Sequence, residues 1–297
     1  MSLRNKTGFT LAAIALLVLS ACSSESETAV EETPAAQETT EATADVNPCS
    51  PDALETLTTG TLTIATGEPA YYPWVLEDTP ESGEGFEPAV AYAVAAELGY
   101  APEEVTWVRT TFDGAIAPGP KTFDFNLQQY SITEERKQVV DFSSGYYYVT
   151  QAIVSAEGSA IAGATSIADL KSAKLGAAVG TTSLTAAETI IAPDAEISVF
   201  NDNAAAVQAL KNGQVDGLVV DLPTAFYLSA VEIEGGVIVG QLPADPNTPE
   251  QFGLLLAKDS PLTDCVSQAV DTLRANGTLA EIEATWLAAD QGAPVLQ

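Results

Sequence analysis

Histidine is missing altogether, and lysine and arginine together number 11 in 297 residues against 41 aspartates and glutamates. The absence of imidazole removes Ser-His-Asp and Cys-His catalysis and every histidine-ligated metal site. A formal charge of −30 makes nucleic acid and anionic headgroups unfit partners, since like charge repels along the whole approach. The few cations are also unevenly placed, with none between Lys6 and Arg109. Cysteine is scarce too, confined to Cys22, Cys49 and Cys265.

The N-terminal stretch stands apart from any fold. Arg4 and Lys6 precede an apolar run from Phe9 to Leu19, which ends in Leu19-Ser20-Ala21-Cys22. Residues 1–21 read as a secretory signal closed by a lipobox, with Cys22 becoming the lipidated first residue of the mature chain. The run is too short for a comfortable transmembrane helix. An ordinary cleaved signal would leave Cys22 without a purpose. Residues 22–47 are rich in Ser, Thr, Ala, Pro and Glu, without aromatic or basic side chains, and cannot bury enough surface to fold. They read as an acidic, flexible tether to the outer face of the cytoplasmic membrane. In an exported chain the remaining Cys49 and Cys265 are expected to pair, the alternative being two unrelated buried thiols.

Beyond the tether, strand-like and helix-like runs alternate. Gly60-Thr-Leu-Thr-Ile-Ala-Thr reads as a strand, Gly85-Phe-Glu-Pro opens a helix through Leu98, and Val105-Thr-Trp-Val is a second strand. Pro118-Gly119-Pro120 cuts short the helix expected after Thr110-Thr-Phe-Asp-Gly. A second, similar unit has Ser166 capping a helix, a strand at Lys174–Val179, and a helix opened by Gly180-Thr-Thr-Ser. It continues with Asn201 or Asn203 capping a further helix and a buried strand at Val215–Asp221. Leu262 to Asn276 reads as a helix, and Thr278 as the cap of the last one. The alternation predicts two α/β units with mostly parallel sheets, whose ligands lie beyond the strand C-termini.

One segment goes against local preference. Phe125, Leu127 and their polar neighbours alternate as in a strand, and Thr133 then reads as an N-cap with Glu134 and Glu135 in the first helical turn. Arg136 would put a cation at the positive end of that helix. A bound carboxylate would resolve the conflict. An exposed arginine paired with Asp141 or a glutamate would also resolve it.

In order, Tyr71-Tyr-Pro-Trp, Gly85-Phe-Glu, Phe112-Asp-Gly, Ser131-Ile-Thr-Glu-Glu-Arg, Val140-Asp-Phe-Ser, Gly180-Thr-Thr, Val215-Asp-Gly-Leu-Val-Val-Asp and Gly277-Thr-Leu-Ala form a succession. It resembles family 3 of the extracytoplasmic solute-binding proteins, which feed polar amino acids to ABC importers and are related to ionotropic glutamate receptor ligand cores. The resemblance implies a type II periplasmic-binding-protein-like fold, two α/β lobes joined by a two-strand hinge around a ligand cleft. It places the first lobe at 48–149 and 251–297 and the second at 150–250. Arg136 is then similar to the residue that pairs with the ligand α-carboxylate, with Ser131, Thr133, Thr182 and Ser183 beside it. Asp221 is similar to the acceptor of the α-ammonium, Tyr71 and Phe112 to the aromatic walls, and Glu68 to a contact for the ligand side chain. Gln128 and Gln129 stand where many relatives have serine or glycine, and together with Glu68 they suit a polar, cationic or amide side chain. The implied protein is a monomeric, membrane-tethered amino-acid-binding protein that serves ABC permease subunits, with no metal, cofactor or catalytic group. Two other functions fit the same fold: an amino-acid sensor without transport, and an enzyme of dehydratase or lytic type using Glu68 or Asp221 as its acid or base.

Overall fold

The computed structural model describes residues 47–287 and 292–297. The expected signal, the lipidation site Cys22 and almost all of the tether lie outside the described residues. The chain begins with β1 (Leu62–Gly67), α1 (Phe86–Glu97), β2 (Val105–Thr110), α2 (Phe112–Ile116), β3 (Phe125–Asn126) and β4 (Val140–Tyr148). It continues through β5 (Gln151–Ala156), β6 (Leu175–Ala178), α3 (Thr182–Ala186), β7 (Ser198–Phe200), α4 (Asn203–Lys211), β8 (Gly217–Asp221) and α5 (Leu222–Tyr227). The last elements are β9 (Gly236–Gln241), β10 (Gln251–Ala257), α6 (Thr263–Ala275) and α7 (Thr278–Trp286).

Two five-stranded sheets result, ordered β2-β1-β3-β10-β4 and β7-β6-β8-β5-β9. The chain passes from the first sheet to the second between β4 and β5 and returns between β9 and β10. The expectation of mostly parallel sheets needs correction, for both are mixed. β10 runs antiparallel to β3 and β4, and β5 runs antiparallel to β8 and β9. The reason is the double passage, because a strand entering from the other lobe meets the parallel strands from the opposite direction.

Each sheet is covered on both faces, which explains its continuous apolar strands. All six residues of β1 are buried. On one face, Leu62 and Ile64 join Phe86, Val90 and Val94 of α1, Val266 and Val270 of α6, and Leu254 and Leu256 of β10. Ala65, Phe123, Tyr130 and Leu255 form the core of the other face. In the second sheet neighbouring residues divide between faces with the period of a strand. Val154, Leu218 and Val220 pack with Val207 and Leu210 of α4, whereas Ile153 and Val219 pack with Leu170 and Leu175.

Several local expectations change. The strand expected to include Leu127 ends after Asn126, and Gln129 turns the chain at φ 52°. No α-helix follows Thr133. A single 3-10 turn, Arg136–Gln138, takes its place, although Thr133 Oγ1 does accept from Arg136 N at 3.2 Å. Asp202, rather than Asn201 or Asn203, caps α4 by accepting from Ala205 N at 2.7 Å. Gly277, at φ 88°, is the cap of α7 and Thr278 its first residue. The left-handed geometry at that junction suits glycine and not threonine.

Cys49 and Cys265 form a disulfide with Cα atoms 5.3 Å apart, tying the start of the described chain to α6 across 216 residues. Closing so long a loop restricts the unfolded chain, and native disulfides of this kind typically contribute about 2–5 kcal/mol. Replacing both cysteines by serine is therefore expected to lower the melting temperature by several degrees in calorimetry. An unchanged melting temperature would show that the bridge constrains nothing the rest of the fold does not.

Candidate functional site

The C-terminal ends of β1, β6 and β8 point to the same gap between the lobes, and the loops leaving them line it. Gly67 to Tyr71 leave β1, Val179 to Ser183 leave β6, and Asp221 closes β8. The resulting cleft of ≈ 370 Å³ is also lined by Phe112, Gln128, Gln129 and Arg136. Of the residues singled out in the sequence, Glu68, Tyr71, Phe112, Gln128, Gln129, Arg136, Thr182, Ser183 and Asp221 thus border one space. Ser131 and Thr133 do not line it. Ser131 stands behind it, buried, and Thr133 braces the turn that carries Arg136.

Arg136 is only 8% exposed, so it is not the surface ion pair considered above. Asp141, the partner considered for it, pairs with Lys258 at 3.0 Å instead. Arg136 Nη1 donates to Ser131 O at 2.7 Å, and its Nη2 to Gly180 O in the other lobe at 3.0 Å. Its guanidinium carbon lies 5.3 Å from the ring centre of Phe112. The guanidinium has five N–H groups, so donors remain for a ligand. Burial pulls its pKa down and Glu250 pushes it back up. Gly180 can present its carbonyl here because it adopts φ 70°, and a Cβ at this position would stand 2.9 Å from Asp113 Oδ1.

Behind the cleft runs a polar network that sequence reasoning missed. Ser131 Oγ lies 3.1 Å from Thr182 Oγ1 across the lobes and donates to Glu250 Oε1 at 2.5 Å. Gln151 faces Asp221 in the antiparallel register of β5 and β8. Its Nε2 donates to Asp221 Oδ1 at 2.8 Å and to Glu250 Oε2 at 3.1 Å, while its Oε1 accepts from Ser183 Oγ at 2.6 Å. A lone amide opening the apolar run Gln151-Ala-Ile-Val was the legible sign of Gln151. Glu250 carried no sign at all, since it lies in an unpatterned connection.

Asp221 keeps a partly exposed surface towards the cleft within a dense surround. Burial pushes its carboxyl up to about 7 and Glu250 adds to the shift, while Gln151 and Arg136 pull it back. Glu87, fully buried in the first turn of α1, is likewise raised to about 7 by burial against donors from Tyr146 and Gln129. Among the described residues no cluster of three or more metal-ligating side chains occurs, and no helix is long and apolar enough to cross a membrane.

Two α/β lobes that face one another across a cleft at their strand ends, with crossings between β4 and β5 and between β9 and β10, define a type II periplasmic binding protein. The chain belongs to the bacterial extracellular solute-binding proteins, family 3, whose description matches residues 62–289. It is 31% identical over 75% of its length to the L-arginine-binding protein of Pseudomonas aeruginosa, covering 86% of that protein. It is 29% identical over 71% of its length to the ABC transporter glutamine-binding protein GlnH of Bacillus subtilis, covering 76% of that protein. Its structure resembles an ancestral arginine-binding protein bound to arginine, with TM-score 0.64 and 33% identity over 77% of this chain and 98% of the other.

The raised acid has a consequence for stability. A free aspartate titrates near 4, whereas folded Asp221 titrates near 7, so between these values the native state holds the extra proton. The stability tied to it is complete below about pH 4 and is lost as pH rises through about 7. The ligand-free melting temperature is therefore expected to fall between about pH 4 and 7 and then level off, and to fall less steeply in Asp221→Asn. Equal slopes in the two proteins would contradict the raised pKa.

Proposed function

We propose that this protein captures a polar amino acid, preferably a cationic one, in the interlobe cleft and hands it unaltered to an ABC importer. The observation that carries the reading is the distribution of charge in the cleft. Glu68, Asp113, Asp202 and Asp221 line it, with Arg136 as the one cation of the lining. A zwitterion places its carboxylate on Arg136 and its ammonium on Asp221, and adds no net charge. A ligand with a further cation also balances the remaining carboxylates, so it is favoured. Tyr71 and Phe112 provide ring faces for the aliphatic stem of such a side chain. Charge-assisted hydrogen bonds of about 1.5–3 kcal/mol each offset the entropy of association and reach about micromolar affinity. The relatives named for arginine and glutamine support an amino-acid ligand and an importer as partner. Lipidation of Cys22 would hold the monomeric protein at the outer face of the membrane, with the acidic stretch before residue 48 as its tether.

Arg136→Ala is expected to abolish amino-acid binding in calorimetry while circular dichroism still reports the folded chain. Undiminished affinity in that variant would end the assignment. Asp221 must be ionised to accept an ammonium, so affinity is expected to weaken by up to about tenfold per unit as pH falls below about 7. The same titration should release a proton on binding at about pH 6, visible as a dependence of the measured heat on the buffer. Asp202→Asn with Asp113→Asn should weaken L-arginine by several-fold more than L-glutamine. Equal losses would remove the preference for a cation.

A further inference from the structure

Glu87 takes no part in the binding scheme above, yet it is a fully buried carboxylate next to the cleft wall. It stands on α1 among the buried apolar residues Phe86, Val90 and Val94, a setting that tolerates a charge only when donors surround it. Three donors meet it. Gln129 N and Tyr146 Oη reach Oε1 at 2.8 and 2.6 Å, and Gln129 Nε2 reaches Oε2 at 2.5 Å. Gln129 is thus held by main chain and side chain together, at a φ of 52° that a glutamine keeps only where its surroundings impose it.

An ionised carboxylate accepts hydrogen bonds and does not donate, so above about pH 7, where Glu87 is ionised, the end of the amide turned to it is the NH2. The carbonyl Oε1 is the end left for the space in front. Gln129 borders both the cleft and an adjoining cavity of ≈ 230 Å³ walled by Tyr72, Trp74 and Tyr227. Polar atoms of that wall are engaged with one another, Trp74 Nε1 with Thr224 Oγ1 at 3.1 Å and Tyr227 Oη with Glu232 Oε1 at 3.0 Å. Gln129 thus stands, like Asn203, where the two spaces meet.

We infer that Glu87 is a positioning residue that fixes the Gln129 amide as a hydrogen-bond acceptor for a cationic group of the ligand, making this buried pair a determinant of ligand choice. The inference rests on the amino-acid-binding reading given above. With the amide reversed, Gln129 would present N–H groups to an ammonium or guanidinium, donor against donor. Glu87→Gln changes little volume, but its own NH2 donates to Gln129 Oε1 and permits that reversal.

Two measurements test it. In nitrogen-15 NMR of the ligand-free protein, the Gln129 side-chain amide should resonate downfield because of its carboxylate partner, and should move back in Glu87→Gln. An unmoved amide overturns the clamp, whether or not any amino acid binds. In calorimetry with L-arginine, Glu87→Gln and Gln129→Leu should each weaken binding by about tenfold or more, the size of one charge-assisted hydrogen bond. The double variant should bind no more weakly than Gln129→Leu alone. Additive losses would make Glu87 merely structural and overturn the inference. If Glu87→Gln does not fold, full L-arginine affinity in a folded Gln129→Leu is the overturning result. A parent protein that binds none of L-arginine, L-glutamine and L-histidine refutes the amino-acid reading instead, while the NMR result still decides the clamp.

Discussion

The buried guanidinium of Arg136 is the constraint on which the rest of the site depends. Withdrawing a cation from water is costly, and here no carboxylate forms a direct pair with it among the described residues. Two backbone carbonyls compensate, one from each lobe, with the Phe112 ring and the field of Glu250 beside them. Because one of those carbonyls belongs to Gly180, the cation also sets how closely the loop after β6 approaches the first lobe. The Ser131–Thr182 contact at 3.1 Å lies in the same seam. Local chain geometry, interlobe contact and the proposed ligand recognition thus converge on a single side chain.

Around that cation the protein gathers acids in degrees of burial that separate their roles. Asp221 opens onto the cleft and is joined to Glu250 through the amide of Gln151. Glu87 is sealed behind the wall and hydrogen-bonded to Gln129. Both Asp221 and Glu87 titrate near 7, far from an exposed carboxylate, because burial penalises their charged forms. On the reading proposed above, a cleft lined by these carboxylates favours a ligand that brings a cation. Strain of this sort at a functional site is offset by the well-packed sheets on either side.

Legibility in the sequence followed the range of the interactions. Signals that depend on neighbours along the chain were readable: the apolar runs of β1 and β8, the glycine that opens α1, the proline break after α2. The Cys49–Cys265 pair was also readable, from the scarcity of thiols in an exported chain and not from spacing. Features set by partners far away in sequence were not. Arg136 looked misplaced on a helix, but the helix is a single turn and the placement answers to Gly180 O instead. Asp202 displaced its asparagine neighbours as a cap because its side chain alone is turned to Ala205 N. Glu87 appeared as an ordinary acidic residue in a first helical turn, and its burial against Gln129 and Tyr146 depends on where α1 docks.

The amino-acid sequence by itself determined the two α/β units, the family they belong to, and part of the lining of the cleft, because periodicity and ordered short motifs are local properties of the chain. Tertiary structure alone decided that the sheets are mixed, that Gln151 and Glu250 join the acids behind the cleft, and which way the Gln129 amide is turned. Each of these depends on strands and loops brought together after long excursions of the chain, and a hydrogen bond of 2.5 to 3 Å between them is a fact of packing that no local pattern encodes.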